Sequence, residues 1–294
     1  MRVGNFFAAL ILVNGLFVTT APVLLAQGAS AIRINLAGRQ RMLSQRMAAA
    51  SCLALIGVGG AERRQVALAA HDDFATALVA LQFGQNSLGL PAENHPDIRA
   101  AFKDVEETWR SYGPAIQQLA HGDQHSVVVL QLLVHNVTAL ARSNAAVQHI
   151  VKVHGDSGID PALSKAINLA GRQRMLSQRM MKDACFVSVG IDTEGSATDL
   201  EQSMKLFQET LHNLIRGNPS KGIAAPPTPG VARQLQVVSA QWKDFSVALQ
   251  SVAPIQGGRA RDLARLEVVA KMSDDILAAS HRAVQLYVQS TAHP

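Results

Sequence analysis

The feature that most constrains this chain is a polar stretch of fourteen residues, INLAGRQRMLSQRM, which stands at 34 to 47 and again, unchanged, at 167 to 180. When the two stretches are aligned, the only cysteines of the chain, Cys52 and Cys185, also coincide. The sequence around them has diverged heavily. Identity restricted to this block indicates a local constraint that both copies share, and the chain is predicted to contain two copies of one domain.

The domain boundaries follow from the spacing of the copies. The spacing is 133 residues at the block and becomes 137 near the end, where AVQHIV at 146 to 151 corresponds to AVQLYV at 283 to 288. A short insertion in the APIQGG turn of the second copy accounts for the change. The copies are predicted at 31 to 155 and 159 to 294, and they are joined by the loop HGDSGIDP.

The composition and the turn signals predict helices. The chain is 48% hydrophobic but only 4% aromatic, and long segments contain neither glycine nor proline. Breaks at GVGG, GQNSLGLPAENHP and HGDQ divide the first copy into four helical segments at 31 to 58, 61 to 86, 96 to 121 and 123 to 153. The prediction is an all-α protein with two tandem up-and-down four-helix bundles. A mixed α/β fold is the minor alternative.

The first thirty residues resemble an export signal, because a basic start precedes an apolar run without charges. Cleavage is expected after Ala26 or Ala31, and an uncleaved N-terminal anchor is the alternative. No second apolar run of about 20 residues is evident, so we expect nothing downstream to cross a bilayer. We expect a soluble periplasmic protein, and the scattered basic residues, with a net charge of +5, give little support for nucleic-acid binding.

A helical wheel separates two faces of the repeated block. Leu36, Leu43 and Met47 form an ordinary core stripe. The opposite face contains Gly38. Glycine within a helix lowers stability by about 1 kcal/mol relative to alanine, so its presence indicates that another group comes close to the backbone there. Arg41, one turn later, has a planar guanidinium group whose donors suit an oxyanion, and Gln45, one turn further, adds a neutral hydrogen-bond donor. The predicted binding residues are therefore Gly38, Arg41, Gln45, Gly171, Arg174 and Gln178, whereas Arg39 and Arg46 are expected to be solvated.

Other kinds of site find little support. No histidine recurs at the spacing of 133 residues, which argues against a metal ion or an acid/base site shared by both copies. No nucleophile and base, and no phosphate-binding loop, recur either, so we predict neither an enzyme nor a cofactor. An interaction module, in which the repeated arginines meet carboxylates of a protein partner, stays open as the alternative function.

At this block the chain resembles the PilJ-type sensor domain, the N-terminal domain of type IV pilus methyl-accepting chemotaxis transducers, which is related to the periplasmic domains of nitrate/nitrite sensor kinases. The resemblance is carried by 31 to 47 and 164 to 180. It implies a nitrate bound at a dimer axis by the arginine that precedes methionine, Arg41 or Arg174, with Gly38 or Gly171 lining the pocket. Family sensors continue into a signalling region that we do not find here, so we expect a nitrate- or nitrite-binding protein that reports to a membrane or periplasmic signalling partner.

Two copies in one chain can reproduce the pairing of a symmetric dimer. The bundles are then predicted to pack through their first helices, with Arg41 facing Arg174 across a shared anion. Cys52 and Cys185 stand eleven residues further on, about 20° from the arginines on the helical wheel, so they are expected to lie near each other. Whether they form a disulfide or remain buried free thiols is left open by the sequence.

Overall fold

The computed structural model describes residues 21 to 155, 160 to 252 and 259 to 291, with side chains from residue 28 onward. Within these ranges the chain forms α-helices and two short 3-10 turns, and it has no β-strand. This confirms the all-α prediction. The helices are α1 (Ala21–Leu55), α2 (Gly60–Phe83), α3 (Pro96–Ala120), α4 (Ser126–His154), α5 (Pro161–Val189), α6 (Thr193–Arg216), α7 (Pro229–Gln250) and α8 (Arg259–Ser290).

The eight helices form two four-helix bundles, α1 to α4 and α5 to α8. In each bundle the first helix packs against the second and the fourth, and the third packs against the second and the fourth. The two bundles meet mainly through α1 and α5, which pack along each other, with smaller contacts between α1 and α8 and between α4 and α5. The predicted pairing of the first helices is therefore found.

Local signals explain where the helices of the second copy begin and end. The Asp160 carboxylate accepts a hydrogen bond from the Leu163 amide at 2.9 Å, and the Thr228 hydroxyl accepts one from the Val231 amide at 3.2 Å. Both are N-caps followed by proline, a residue that the first turn of a helix tolerates. Gly190, with a φ of 77°, ends α5 in the left-handed conformation.

The turn between the second and third helices has the same form in both copies, although its sequence has diverged. A β-carbon at Gly84 would lie 2.6 Å from the Ala92 backbone nitrogen, and one at Gly217 would lie 2.9 Å from the Ala225 nitrogen. Both glycines have positive φ, so any other residue there would be strained as well as too close to the chain. The repeat thus extends to the geometry of its loops.

Each bundle core contains the same aromatic pair between its second and third helices. Phe74 stacks on Trp109 with ring centroids 4.4 Å apart, and Phe207 stacks on Trp242 at 4.3 Å. Such pairs contribute about 0.5 to 1.5 kcal/mol beyond the area that they bury. Aromatic residues are scarce in this chain, and this stacked pair stands at equivalent positions in both copies.

Two of the described helices, α2 and α4, are long and apolar enough to cross a bilayer by length and composition alone. No such segment was expected downstream of the N-terminus, because the sequence shows no second apolar run of about 20 residues. Core helices of soluble proteins pass the same test, and each of these two buries a face in the first bundle. On the outer face, α4 exposes Val127, Leu130, Val134 and Val137.

Two sequence predictions fall largely outside the described residues. The export signal was assigned to residues 1 to 30, of which 1 to 20 are not described, while 21 to 30 belong to α1. The APIQGG turn, in which the insertion of the second copy was placed, lies within 253 to 258 and is not described either.

Candidate functional site

The contact between α1 and α5 buries two arginines completely. Arg41 and Arg174 have exposed fractions of 1% and 0%, and they are among the largest fully buried side chains in the described part of the chain. Arginine is almost never buried to this extent without a partner that neutralises its charge. The surroundings of these two side chains therefore decide what this interface can do.

The two guanidinium groups meet beside the two glycines of the repeated block. A β-carbon on Gly38 would lie 3.4 Å from Nη2 of Arg41 and 3.5 Å from Nη2 of Arg174. One on Gly171 would lie 3.5 Å from Nη2 of Arg174 and 3.8 Å from Nη2 of Arg41. The two nitrogens are thus within about 7 Å of each other, a separation at which two unit charges repel by about 2 kcal/mol at an effective dielectric of 20.

Arg41 is held by amide side chains from two other helices. Its Nη1 donates to Oδ1 of Asn144 on α4 at 3.2 Å, and its Nη2 donates to Oδ1 of Asn168 on α5 at 2.9 Å. The second bond crosses between the copies. Asn168 belongs to the repeated block, three residues before Gly171, so the block of one copy positions the arginine of the other.

Arg174 has the corresponding contacts with different chemistry. Its Nη2 donates to the backbone oxygen of Asn35 on α1 at 3.2 Å, and its Nη1 lies 3.3 Å from Nδ1 of His281 on α8. Asn35 is the counterpart of Asn168, and His281, in the register of 137 residues, is the counterpart of Asn144. The site is pseudo-symmetric in its positions but carries an imidazole on one side only.

No described residue neutralises the charge of the two arginines. Among the described residues neither Arg41 nor Arg174 forms an ion pair, and Nε of each is buried without a hydrogen-bond partner. Burial, and then repulsion from Arg172 and Arg174, lowers the pKa of Arg41 to about 9. Burial, followed by repulsion from Arg39, lowers the pKa of Arg174 to about 9 as well. Both groups are still cationic at neutral pH, so the interface encloses two positive charges.

The glutamines predicted as donors form hydrogen bonds with groups other than the arginine pair. The Gln178 amide donates to the hydroxyl of Ser273 on α8 at 3.0 Å, and its Oε1 accepts from Nη1 of Arg46 at 3.1 Å. The Gln45 amide donates to the Ser44 hydroxyl at 3.2 Å, and its Oε1 is buried without a partner. Among the described residues no hydrogen bond joins either glutamine to Arg41 or Arg174. Of the predicted binding residues, only Gly38 and Gly171 lie beside the two guanidinium groups.

The arginines that were expected to be solvated form ion pairs instead. Arg39 is bound to Asp73 on α2 at 2.5 Å, and Arg46 to Asp274 on α8 at 2.8 Å. The partners are far away in the sequence, so the helical wheel could not reveal them. Arg172, the counterpart of Arg39, is half-buried and has no recorded ion pair within the described ranges.

Another part of the repeated block has a structural role that explains its polarity. The Gln40 amide donates to the backbone oxygen of Phe74 at 2.9 Å, and the Gln173 amide donates to that of Phe207 at 3.4 Å. Each glutamine ties the first helix of its copy to the second. The block is therefore conserved between the copies on two faces, one that holds the bundle together and one that faces the other copy.

The two cysteines lie on the face shared by the copies. Cys52 and Cys185 are joined by a disulfide, with their Cα atoms 6.3 Å apart. The choice that the sequence left open is thus resolved in favour of the bond. Because it links α1 to α5 about three helical turns beyond the arginines, it fixes how these two helices lie along each other.

Sequence reasoning missed the asparagines and the histidine that contact the arginines. Asn35 and Asn168 are part of the repeated block, so the signal for them was present. His281 was missed because only histidines that recur in both copies were considered, and no histidine stands at its equivalent position in the first copy. Aligned on the AVQ motif, His281 coincides with Asn144.

Comparison with known proteins also identifies two copies of one domain in this chain. Residues 24–135 and 162–265 each match the family described as type IV pili methyl-accepting chemotaxis transducer N-term, PilJ. Over 89 residues the chain is 30% identical to the methyl-accepting chemotaxis protein McpN of Pseudomonas aeruginosa, and this match covers 30% of the chain but only 16% of that protein. The chain therefore belongs to the PilJ family, the N-terminal region of type IV pili methyl-accepting chemotaxis transducers, and contains two tandem copies of it.

Proposed function

We propose that this protein is a periplasmic sensor that binds one nitrate or nitrite ion between Arg41 and Arg174. The observation that carries the proposal is the pair of buried guanidinium groups, which share the space beside Gly38 and Gly171 and have no carboxylate partner in the described structure. Burying a charge without a counter-ion is costly, and a bound anion would supply the missing charge.

The chemistry of the pair favours a small, flat monoanion. Guanidinium groups donate from a rigid plane, so two of them can hold the oxygens of one trigonal oxyanion. Nη2 of each arginine lies next to both glycines, which have no side chain to obstruct a ligand. Sulfate carries twice the charge and would lose more hydration energy on entering a closed interface between helices. We therefore expect nitrate and nitrite to bind more tightly than sulfate.

The alternative function, an interaction module whose arginines meet carboxylates of a protein partner, has less support. Arg41 and Arg174 are 1% and 0% exposed. A carboxylate on another folded protein could reach them only if α1 and α5 separated, and the disulfide between Cys52 and Cys185 ties these two helices together. A small anion would need a much smaller opening between the two helices than a folded partner would.

Anion binding offers a physical route to a signal. Without a ligand, the two arginines repel each other across the contact of α1 and α5. A ligand held by both would draw the helices towards one relative setting, and a ligand changes a conformational equilibrium only through such differential contacts. McpN is a methyl-accepting chemotaxis protein. By analogy we propose that the relative setting of α1 and α5 is read by a signalling partner at the membrane or in the periplasm.

Titration calorimetry tests the proposal directly. The purified chain is titrated with nitrate, nitrite, sulfate and chloride, beside an Arg41→Ala variant. We expect nitrate or nitrite to bind the wild type, and the variant to lose most of the affinity because it loses one charge-assisted contact, worth about 1.5 to 3 kcal/mol. Absence of binding by all four anions, or equal binding by the variant, would contradict the proposal.

A further inference from the structure

The two arginines contact equivalent residues of the repeat, but at one of these positions the residue type differs. Arg41 donates from Nη1 to Oδ1 of Asn144, while Nη1 of Arg174 lies 3.3 Å from Nδ1 of His281. The two positions are equivalent in the repeat, so the fold places a carboxamide on one side and an imidazole on the other. A carboxamide does not titrate in water, whereas an imidazole does.

The contact with Arg174 determines the protonation of His281. Guanidinium nitrogens can only donate, so Nδ1 of His281 must accept and its ring is neutral, with its proton on Nε2. The surroundings favour this form: burial, followed by repulsion from Arg174 and Arg39, lowers the pKa of His281 to about 4. In the state that the structure describes, the imidazole therefore uses up one donor of Arg174.

His281, which contacts Arg174 through Nδ1, also lines an open cleft at the surface. The cleft has a volume of about 380 Å³ and lies between α1, α2 and α8. On its other side α8 packs against α7, where the uncharged Gln234 donates to the Ala279 carbonyl. The charged groups around His281 are Arg39 and Arg46 on α1, Asp73 on α2, Arg174 on α5 and Asp274 on α8.

The carboxylates of this cleft are already paired. Asp73 is bound by Arg39, and Asp274 is bound by both Arg46 and Arg63. They are therefore poor partners for a protonated His281. A negative charge that entered between the arginines would instead be close to the imidazole and would favour its protonated form.

We propose that His281 is a ligand-binding residue of the anion site, and that the site takes up its anion together with one proton on Nδ1 of His281. The inference rests on the proposed function. When Arg174 turns its Nη1 towards the anion, Nδ1 of His281 loses its donor. A proton from solvent then turns that nitrogen into a donor, which adds a third positive group to the site. Asn144 cannot do the same, so only one proton is taken up.

The sign of the pH dependence follows from the two states of His281. The pKa of the imidazole is low in the free protein and is raised when the anion is bound. Affinity for the anion therefore increases as the pH falls through the pKa of the bound state, and it levels off below the pKa of the free state. Each unit by which the anion raises this pKa allows about a tenfold gain in affinity.

The test is calorimetric titration of the full chain with nitrate at about pH 7.5 and about pH 5, repeated in buffers of different ionisation enthalpy to count protons. We expect about tenfold tighter binding at the lower pH, with proton uptake at about pH 5 that approaches one per nitrate. In His281→Asn, which gives the second copy the side chain of the first, both the pH dependence and the proton uptake are expected to disappear. His212→Asn, at an exposed histidine of α6, is the control that should keep both.

The outcomes separate this inference from the proposed function. Nitrate binding by the wild type without proton uptake would overturn the role of His281 and leave the arginine site intact. Proton uptake that persists in His281→Asn would also overturn it, because another group would then be titrating. Failure of the wild type to bind nitrate at either pH would overturn the proposed function and this inference with it.

Discussion

Replacing Gly38 with alanine is expected to stabilise the protein and at the same time abolish anion binding. The new methyl carbon would lie 3.4 Å from Nη2 of Arg41 and 3.5 Å from Nη2 of Arg174, which are ordinary contact distances. It therefore fits without displacing either side chain. Alanine in a helix interior is favoured over glycine by about 1 kcal/mol, which corresponds to an increase of about 2 to 4 °C in the melting temperature of a domain of this size.

The same methyl carbon occupies the place from which an anion would contact both arginines. The two charge-assisted contacts are worth about 1.5 to 3 kcal/mol each, so their loss weakens binding by about a hundredfold or more. The assay combines thermal melts with and without nitrate and a calorimetric titration. Gly230→Ala, at a glycine of α7 whose β-carbon would meet Thr228 at 3.6 Å, is the control. Undiminished nitrate binding by Gly38→Ala would refute the placement of the ligand beside this glycine.

Three further predictions concern residues of α1 and α5. Arg174→Ala should lose most nitrate affinity, while Arg39→Ala should lose much less, because Arg39 is engaged by a carboxylate; equal losses in calorimetry would show that the site is misplaced. Cys52→Ser should lower the free energy of unfolding by about 2 to 5 kcal/mol in denaturant titrations, since the disulfide closes a long loop. An unchanged midpoint would show that the bond does not constrain the chain. Burial raises the pKa of Asp183 to about 6, so its contribution to stability increases as the pH falls from about 6 towards 4. Asp183→Asn should therefore flatten the pH profile of thermal stability in that range. An unaltered profile would argue against a raised pKa of Asp183.

The helical fold could be predicted from the sequence because its signals are local. Glycine and proline clusters placed the breaks, and the predicted segment 61 to 86 became α2 at Gly60–Phe83. The first helix differs more, since α1 starts at Ala21 rather than at residue 31. The residues from 21 to 30 were assigned to an export signal, and that assignment hid the fact that no break separates them from the helix that follows.

The site was only partly predictable, for a physical reason. Helical periodicity places Gly38 and Arg41 on one face, and the repeat supplies the opposing pair by symmetry. Periodicity extends the same face to Gln45, but a side chain on a face still chooses its partners from the neighbouring helices, and Gln45 reaches only Ser44 in the described structure. The imidazole of His281 is contributed by the last helix, so its place depends on how that helix packs and could not be read from the repeated block.

The stoichiometry of nitrate binding tests the central claim most directly, because a site shared by two copies of the block differs in number from two independent sites. Calorimetric titration of the oxidised, monomeric chain is expected to give one nitrate per chain, with both Arg41→Ala and Arg174→Ala reducing the binding. Two nitrates per chain, or a single nitrate that survives in either variant, would contradict the shared site between Arg41 and Arg174.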